Sequence, residues 1–130
     1  MPIDQDLKRL ATGKNFAALT TLAGDGSPST HVMWVGADDD HVLINTEVHR
    51  QKYKNTARDP RVAITVIDSE SPYRYVEARG RVTGEIRGQE ARDDIDALSN
   101  RYLGKDYSTA IKSERVILQI AVDKIHKNNL

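Results

Sequence analysis

The feature that most constrains this chain is how closely its strand-like segments follow one another near the start. Phe16 to Leu22, Ser29 to Gly36 and His41 to Thr46 are rich in residues that favour strands, and only short polar breaks separate them. Gly24-Asp25-Gly26-Ser27-Pro28 supplies the glycines that a tight reversal needs, and Ala37-Asp38-Asp39-Asp40 is a polar turn. Parallel neighbours require a crossover of roughly a dozen residues or more. No room for one exists here, so the three strands are expected to pair antiparallel.

The remaining elements are read from the same local signals. Ile3, Leu7, Leu10 and Ala11 have helical spacing behind an N-cap at Asp4, with Gly13 placed to stop the helix. Val48 to Arg58 lacks Gly and Pro and is expected to be a helix that Asp59-Pro60 ends. Arg61 to Ile67 alternates as a strand, and Tyr73 to Ile86 is a long extended run in which Gly80 and Gly84 suit bends or bulges of a curved sheet. Gln89 to Leu103 carries Ala91, Ile95, Leu98 and Tyr102 on one helical face, and Val116 to Val122 is the last strand. Six strands with three helices predict a mainly β fold, a small antiparallel barrel closed or nearly closed on itself. An open antiparallel sheet with helices on one face is the alternative.

At 130 residues the chain is expected to be one domain spanning 1–130, with no internal repeat or linker. One Trp and one Phe make a modest store of large apolar side chains, and dimerisation would add burial. The absence of cysteine excludes a disulfide framework, a thiolate nucleophile and Cys-based metal centres, so redox activity would have to come from a bound cofactor. Nineteen basic and 19 acidic residues balance, which leaves no overall field to attract nucleic acid. Neither a signal-peptide pattern nor an apolar run of membrane-spanning length is present, and a cytoplasmic protein without membrane association is expected.

The most informative chemistry lies in His49-Arg50-Gln51-Lys52-Tyr53-Lys54-Asn55. Arg50 and Lys52 fall at the start of a helix, where the macrodipole already places positive charge and free N–H groups, and no acid lies between Val48 and Arg58. A phosphate among Arg50, Gln51 and Lys52 would turn that repulsion into attraction, whereas a solvated basic helix face is the plainer account. Lys54 lies a turn further in and is the expected bystander. Val32, Met33 and Trp34 with Asn45 and Thr46 could give a flat ring its floor and edge, although a lone Trp on a strand is more often ordinary packing. His31, His41, His49 and His126 have no metal-ligand spacing, and no Gly-x-Ser-x-Gly elbow or dinucleotide fingerprint is present.

Several segments, taken in order, resemble the pyridoxamine-phosphate-oxidase-like split β-barrels, in particular the small flavin/deazaflavin oxidoreductases that use coenzyme F420. They are Ala18 to Leu22 before Gly24-Asp25-Gly26-Ser27-Pro28, Val32-Met33-Trp34, Arg50 to Asn55 running to Arg58-Asp59-Pro60-Arg61-Val62-Ala63, Pro72 to Glu77 with Arg79 to Val82, and Arg101 to Asp106. The resemblance implies a six-stranded split barrel that forms a homodimer with cofactor sites at the subunit interface. It implies further that Arg50 and Lys52 hold the phosphate or phospholactyl group while Val32, Met33, Trp34, Asn45 and Thr46 line the ring. Tyr73 would reach the partner's cofactor and close one wall. The implied activity is hydride transfer from reduced F420 to a small organic acceptor without an indispensable protein acid or base, so no catalytic residue is assigned. An FMN-dependent oxidoreductase is the first alternative, and a non-enzymatic flavin or tetrapyrrole carrier is the second.

Overall fold

The computed structural model describes residues 1–130. In chain order it contains α1 (Gln5–Thr12), β1 (Phe16–Leu22), β2 (Pro28–Met33), β3 (Gly36–Ala37), β4 (Val42–Glu47), α2 (Gln51–Arg58), β5 (Arg61–Ile67), β6 (Tyr75–Arg87), α3 (Gln89–Leu103) and β7 (Arg115–Asn128). All strand pairings are antiparallel, in the order β2-β1-β5-β6-β7-β4-β3.

That order closes the fold. The two edge strands, β2 and β3, are consecutive in the chain and separated only by Trp34 and Val35. Seven flat strands would hold their edges roughly 29 Å apart at the usual spacing, whereas the chain from Met33 to Gly36 spans at most roughly 11 Å. The sheet therefore has to roll up. This is the expected mainly β split barrel with three helices.

The strand count differs from expectation, seven instead of six, because Ser29 to Gly36 is interrupted. The Val35 N–H donates to the Tyr102 hydroxyl at 3.4 Å and the Val35 carbonyl accepts from Arg101 Nη1 at 2.7 Å. Side chains of α3 thus satisfy backbone groups that would otherwise enter a ladder, and the strand breaks. Other boundaries move by a few residues. The second helix begins at Gln51, since Val48 N–H is taken by the Glu114 carbonyl and Arg50 N–H by the Glu47 carbonyl in a turn. Tyr73 stays in the turn before β6, and β7 runs on to Asn128 because it pairs with the whole of β6. The long β6–β7 ladder shifts register at Arg79/Gly80 and Val82/Gly84, where the sheet bends.

The barrel interior is filled from alternate positions of each strand: Leu19, Val42, Ile44, Ile64, Val66, Val76, Val116, Leu118 and Ile120 are essentially inaccessible. Helix α1 adds Leu7, Leu10 and Ala11 to this core. Its start is fixed by Asp4, whose Oδ1 accepts from the N–H groups of Asp6 and Leu7 at 2.9 and 3.1 Å. Helix α3 carries a second, smaller apolar cluster, Ile95, Leu98 and Tyr102, against which Trp34 and Tyr107 pack.

Candidate functional site

A pocket of about 390 Å³ lies where β2, β4, β7, α3 and the loop after α3 meet. Its apolar wall is Phe16, Val32, Met33, Trp34, Ile95, Leu98 and Leu103, of which Phe16, Val32 and Leu103 are exposed. Trp34 stacks on Tyr102 with ring centroids 5.2 Å apart and planes 4° apart, and Tyr107 meets it edge-on at 6.2 Å. Stacked and edge-to-face partners hold the indole rigid as a flat surface.

The polar wall is basic. Arg50, at the N-cap of α2, and Arg115, the first residue of β7, both line the pocket. Arg50 Nη2 and Arg115 Nη1 each lie 3.4 Å from the same oxygen, Oε2 of Glu47. Glu47 is 1 % exposed, and its other oxygen accepts from the N–H groups of Lys112 and Ser113 at 2.7 and 2.8 Å. Burial alone would raise the Glu47 pKa, yet those N–H groups and the charges of Arg115 and Arg50 hold it below the ordinary carboxylate value. Lys52 shares this neighbourhood: burial, then the charges of Arg50 and Arg115, push its pKa down. Two arginines thus share one carboxylate, with Lys52 near both of them, at a helix start with no acid in its first turn and no side-chain cap.

Two buried polar atoms of this wall have no hydrogen-bond partner, Arg115 Nη1 and Ser99 Oγ. Buried polar groups are ordinarily bonded. The orphaned donors, the surplus positive charge and the flat aromatic floor fit a planar group with an anionic tail.

The structure brings Val32, Met33, Trp34, Asn45 and Arg50 together on this pocket. Thr46 is not on it: β4 alternates, so Val42, Ile44 and Thr46 are buried in the barrel while Asn45 faces the other way. Gln51 lies outside the lining and donates to Asn55 Oδ1 at 2.8 Å, and Lys52 is likewise not part of the lining. Tyr73 is 73 % exposed in its turn and does not line the pocket. Sequence reasoning missed the α3 face as a pocket wall, the loop residues Tyr107, Ser108 and Thr109, and Arg115. A cation opening an otherwise apolar strand was the one signal available for Arg115. No three His, Asp or Glu side chains converge as metal ligands, and no helix is long and apolar enough to cross a membrane.

Comparison with solved structures finds the same architecture repeatedly. A protein named F420 reductase superposes with a TM-score of 0.77 at 29% sequence identity, covering 95% of this chain and 98% of its own. A conserved hypothetical protein from Mycobacterium tuberculosis has a TM-score of 0.75 at 22% identity, with 98% and 85% covered. A putative pyridoxamine 5'-phosphate oxidase from Listeria innocua gives 0.69 at 18% identity, with 93% of each chain covered. The latter two, at such identities, speak for the fold alone. Comparison with curated proteins gives no match. Residues 3–129 match the family described as pyridoxamine 5'-phosphate oxidase. With the match running over nearly the full length, this chain belongs to the pyridoxamine 5'-phosphate oxidase family.

Proposed function

We propose that the protein is an oxidoreductase that binds a phosphate-bearing deazaflavin or flavin in the pocket against Trp34, with coenzyme F420 as the leading cofactor. The observation that carries this reading is the sharing of the Glu47 carboxylate by Arg50 and Arg115, with Lys52 close to both arginines, beside an aromatic floor. An anionic tail at the start of α2 neutralises that surplus, through charge-assisted bonds and the open N–H groups of the first helical turn. Val32, Met33, Trp34 and Asn45 bound the ring. When bound, such a cofactor supplies two-electron chemistry toward a small organic acceptor; the protein orients it and excludes water.

Likeness to a protein named F420 reductase supports the choice of deazaflavin. FMN is the second reading, favoured by the charge of the site: its terminal phosphate carries roughly −1.5 to −2 at neutral pH, which matches three cations against one carboxylate. The protein acts as a cytoplasmic homodimer in this proposal. The exposed apolar rim of Phe16, Val32 and Leu103 is then covered, and Tyr73, which stands off the pocket of its own subunit, serves that of the other.

Titration of the apo-protein with F420 and with FMN, followed by fluorescence of its single tryptophan, tests the reading. Saturable quenching with micromolar or tighter affinity for one of them, and reduction of an acceptor by the F420-loaded protein, is expected. Absence of binding by both would overturn it.

A further inference from the structure

We propose that residues 107–111 form a lid over the pocket, anchored at Lys112 and Ser113 and latched at Tyr107, and that its opening governs passage to the Trp34 floor. The inference rests on the reading that the pocket takes a ligand, and adds how that ligand enters and leaves.

The loop between α3 and β7 is held at its two ends by unequal means. At the far end the N–H groups of Lys112 and Ser113 donate to the buried Glu47 carboxylate at 2.7 and 2.8 Å. There, too, the Ser113 hydroxyl bonds His49 Nδ1 at 2.5 Å, and the Glu114 carbonyl accepts from the Val48 N–H at 3.0 Å. At the near end a single backbone bond does the holding: the Tyr107 N–H donates to Oδ1 of the partly exposed Asp96 at 3.0 Å. Between the two, residues 108–111 take part in no hydrogen bond, by backbone or by side chain. Ser108, Thr109 and Ala110 are exposed, and only Ile111 is half-buried. A stretch without internal bonds and with little buried apolar surface lies at the low end of local stability. A fixed wall would be bonded along its length, as β4 and β7 are.

What the latch covers makes this segment a lid. The Tyr107 ring meets Trp34 edge-on at 6.2 Å and lies over the Arg115 guanidinium at 5.3 Å. Ser108 and Thr109 line the pocket while remaining exposed, which puts them on its rim. Release of the Tyr107 N–H from Asp96 therefore uncovers the aromatic floor and the polar wall together. One hydrogen bond open to water and one edge-on aromatic contact make a latch that thermal motion releases, while the bonds to the buried carboxylate keep the far end in place. Closed, such a segment screens a bound molecule from water; open, it lets the molecule pass.

The single tryptophan lines the pocket, so acrylamide quenching of its fluorescence in the apo-protein reads lid opening with no ligand present. Asp96→Ala removes the acceptor of the latch, and Asp96→Asn keeps one. A quenching constant at least about twofold above wild type is expected in Asp96→Ala, with Asp96→Asn close to wild type. Stopped-flow binding of FMN and of F420 follows in the same variants. Gated entry and gated exit both scale with the open fraction. Asp96→Ala should therefore raise the association and dissociation rates together, each by about tenfold for a lost charged hydrogen bond, and Kd should move less than either. Equal quenching constants in wild type and Asp96→Ala overturn the lid, as does a change confined to the dissociation rate, the mark of a fixed wall. Should Asp96→Ala fail to fold, Asn100→Ala decides by the same quenching comparison, because Asn100 Nδ2 donates to Asp106 Oδ1 at 2.6 Å beside the latch. A rise there supports the lid and constancy overturns it. If neither FMN nor F420 binds, the cofactor reading falls and the quenching comparison alone judges the lid.

Discussion

Trp34 and Tyr102 lie face to face, with ring planes 4° apart, and the Tyr102 hydroxyl donates to the Asn15 carbonyl while accepting from the Val35 N–H. One tyrosine therefore supports the pocket floor and satisfies backbone groups at the strand break and at the residue before β1. Tyr102→Phe keeps the stack but strands a buried carbonyl and a buried N–H. A loss of about 1 to 3 kcal/mol in unfolding free energy is expected, measured by urea denaturation, with a larger loss in Tyr102→Leu, which removes the stack as well.

Gly80 sits at a register shift of the β6–β7 ladder. A Cβ there would lie 1.9 Å from the Ala121 carbonyl oxygen, a backbone atom that cannot swing aside. Gly80→Ala should cost on the order of 3 kcal/mol or more, because the register shift itself has to deform. Gly26, at φ +84° with nothing near its missing Cβ, is the comparison. Gly26→Ala should cost only about 1 to 2 kcal/mol, from backbone strain alone. Equal melting temperatures for the two variants would contradict the assignment.

Glu47 ties acid stability to the site. Its folded-state pKa is depressed, so the stability it contributes is present in full above its unfolded value of about 4.3 and is lost as pH falls through the lower folded value. Glu47→Gln keeps an acceptor for the Lys112 and Ser113 N–H groups but removes the charge. At neutral pH it should be less stable than wild type by about 1 to 3 kcal/mol, and the gap should close below pH ~4. Denaturation curves at several pH values check this, and a gap that stays constant on acidification would refute it.

Lys52 works in the opposite direction. Burial and two neighbouring arginines lower its pKa, so the unfolded chain holds its proton more tightly and the charged lysine costs stability at neutral pH; stability rises as pH climbs through the depressed value. Lys52→Met should make the apo-protein more stable by about 0.3 to 1 kcal/mol, the scale of a misplaced cation at a helix start. Its affinity for FMN should fall. A variant less stable and equally able to bind would show that the lysine is a structural element.

Elements governed by short-range signals were legible in the sequence. Phe16–Leu22, Arg61–Ile67 and Gln89–Leu103 occur with the boundaries that alternation and helical spacing predict, and Asp4 caps α1 as its side-chain chemistry suggests. The break at Trp34 and Val35 was not legible, because Arg101 and Tyr102 far along the chain decide it. β7 was read too short for a similar reason: its polar outer half, Asp123 to Asn128, is a strand through pairing with β6 and not through its own composition.

The site was legible in the same uneven way. Arg50 and Lys52 stand out because a helix start is recognisable locally. Asn45 and Thr46 could not be told apart without knowing which face of β4 meets the barrel interior. Arg115 is informative only beside Asn45 and Glu47 of β4 and Tyr107 of the loop after α3, two stretches of chain distant from each other in sequence.

The strand order leaves β2 and β3 without a shared hydrogen-bond ladder, so the wall is held shut at that line by a dipeptide and the α3 side chains leaning on it. Trp34, half of that dipeptide, is also part of the pocket floor. Occupancy and cohesion are consequently one thermodynamic quantity: whatever rests on the indole also clasps the cylinder, and amide exchange along this line should slow in proportion to how tightly the guest is held.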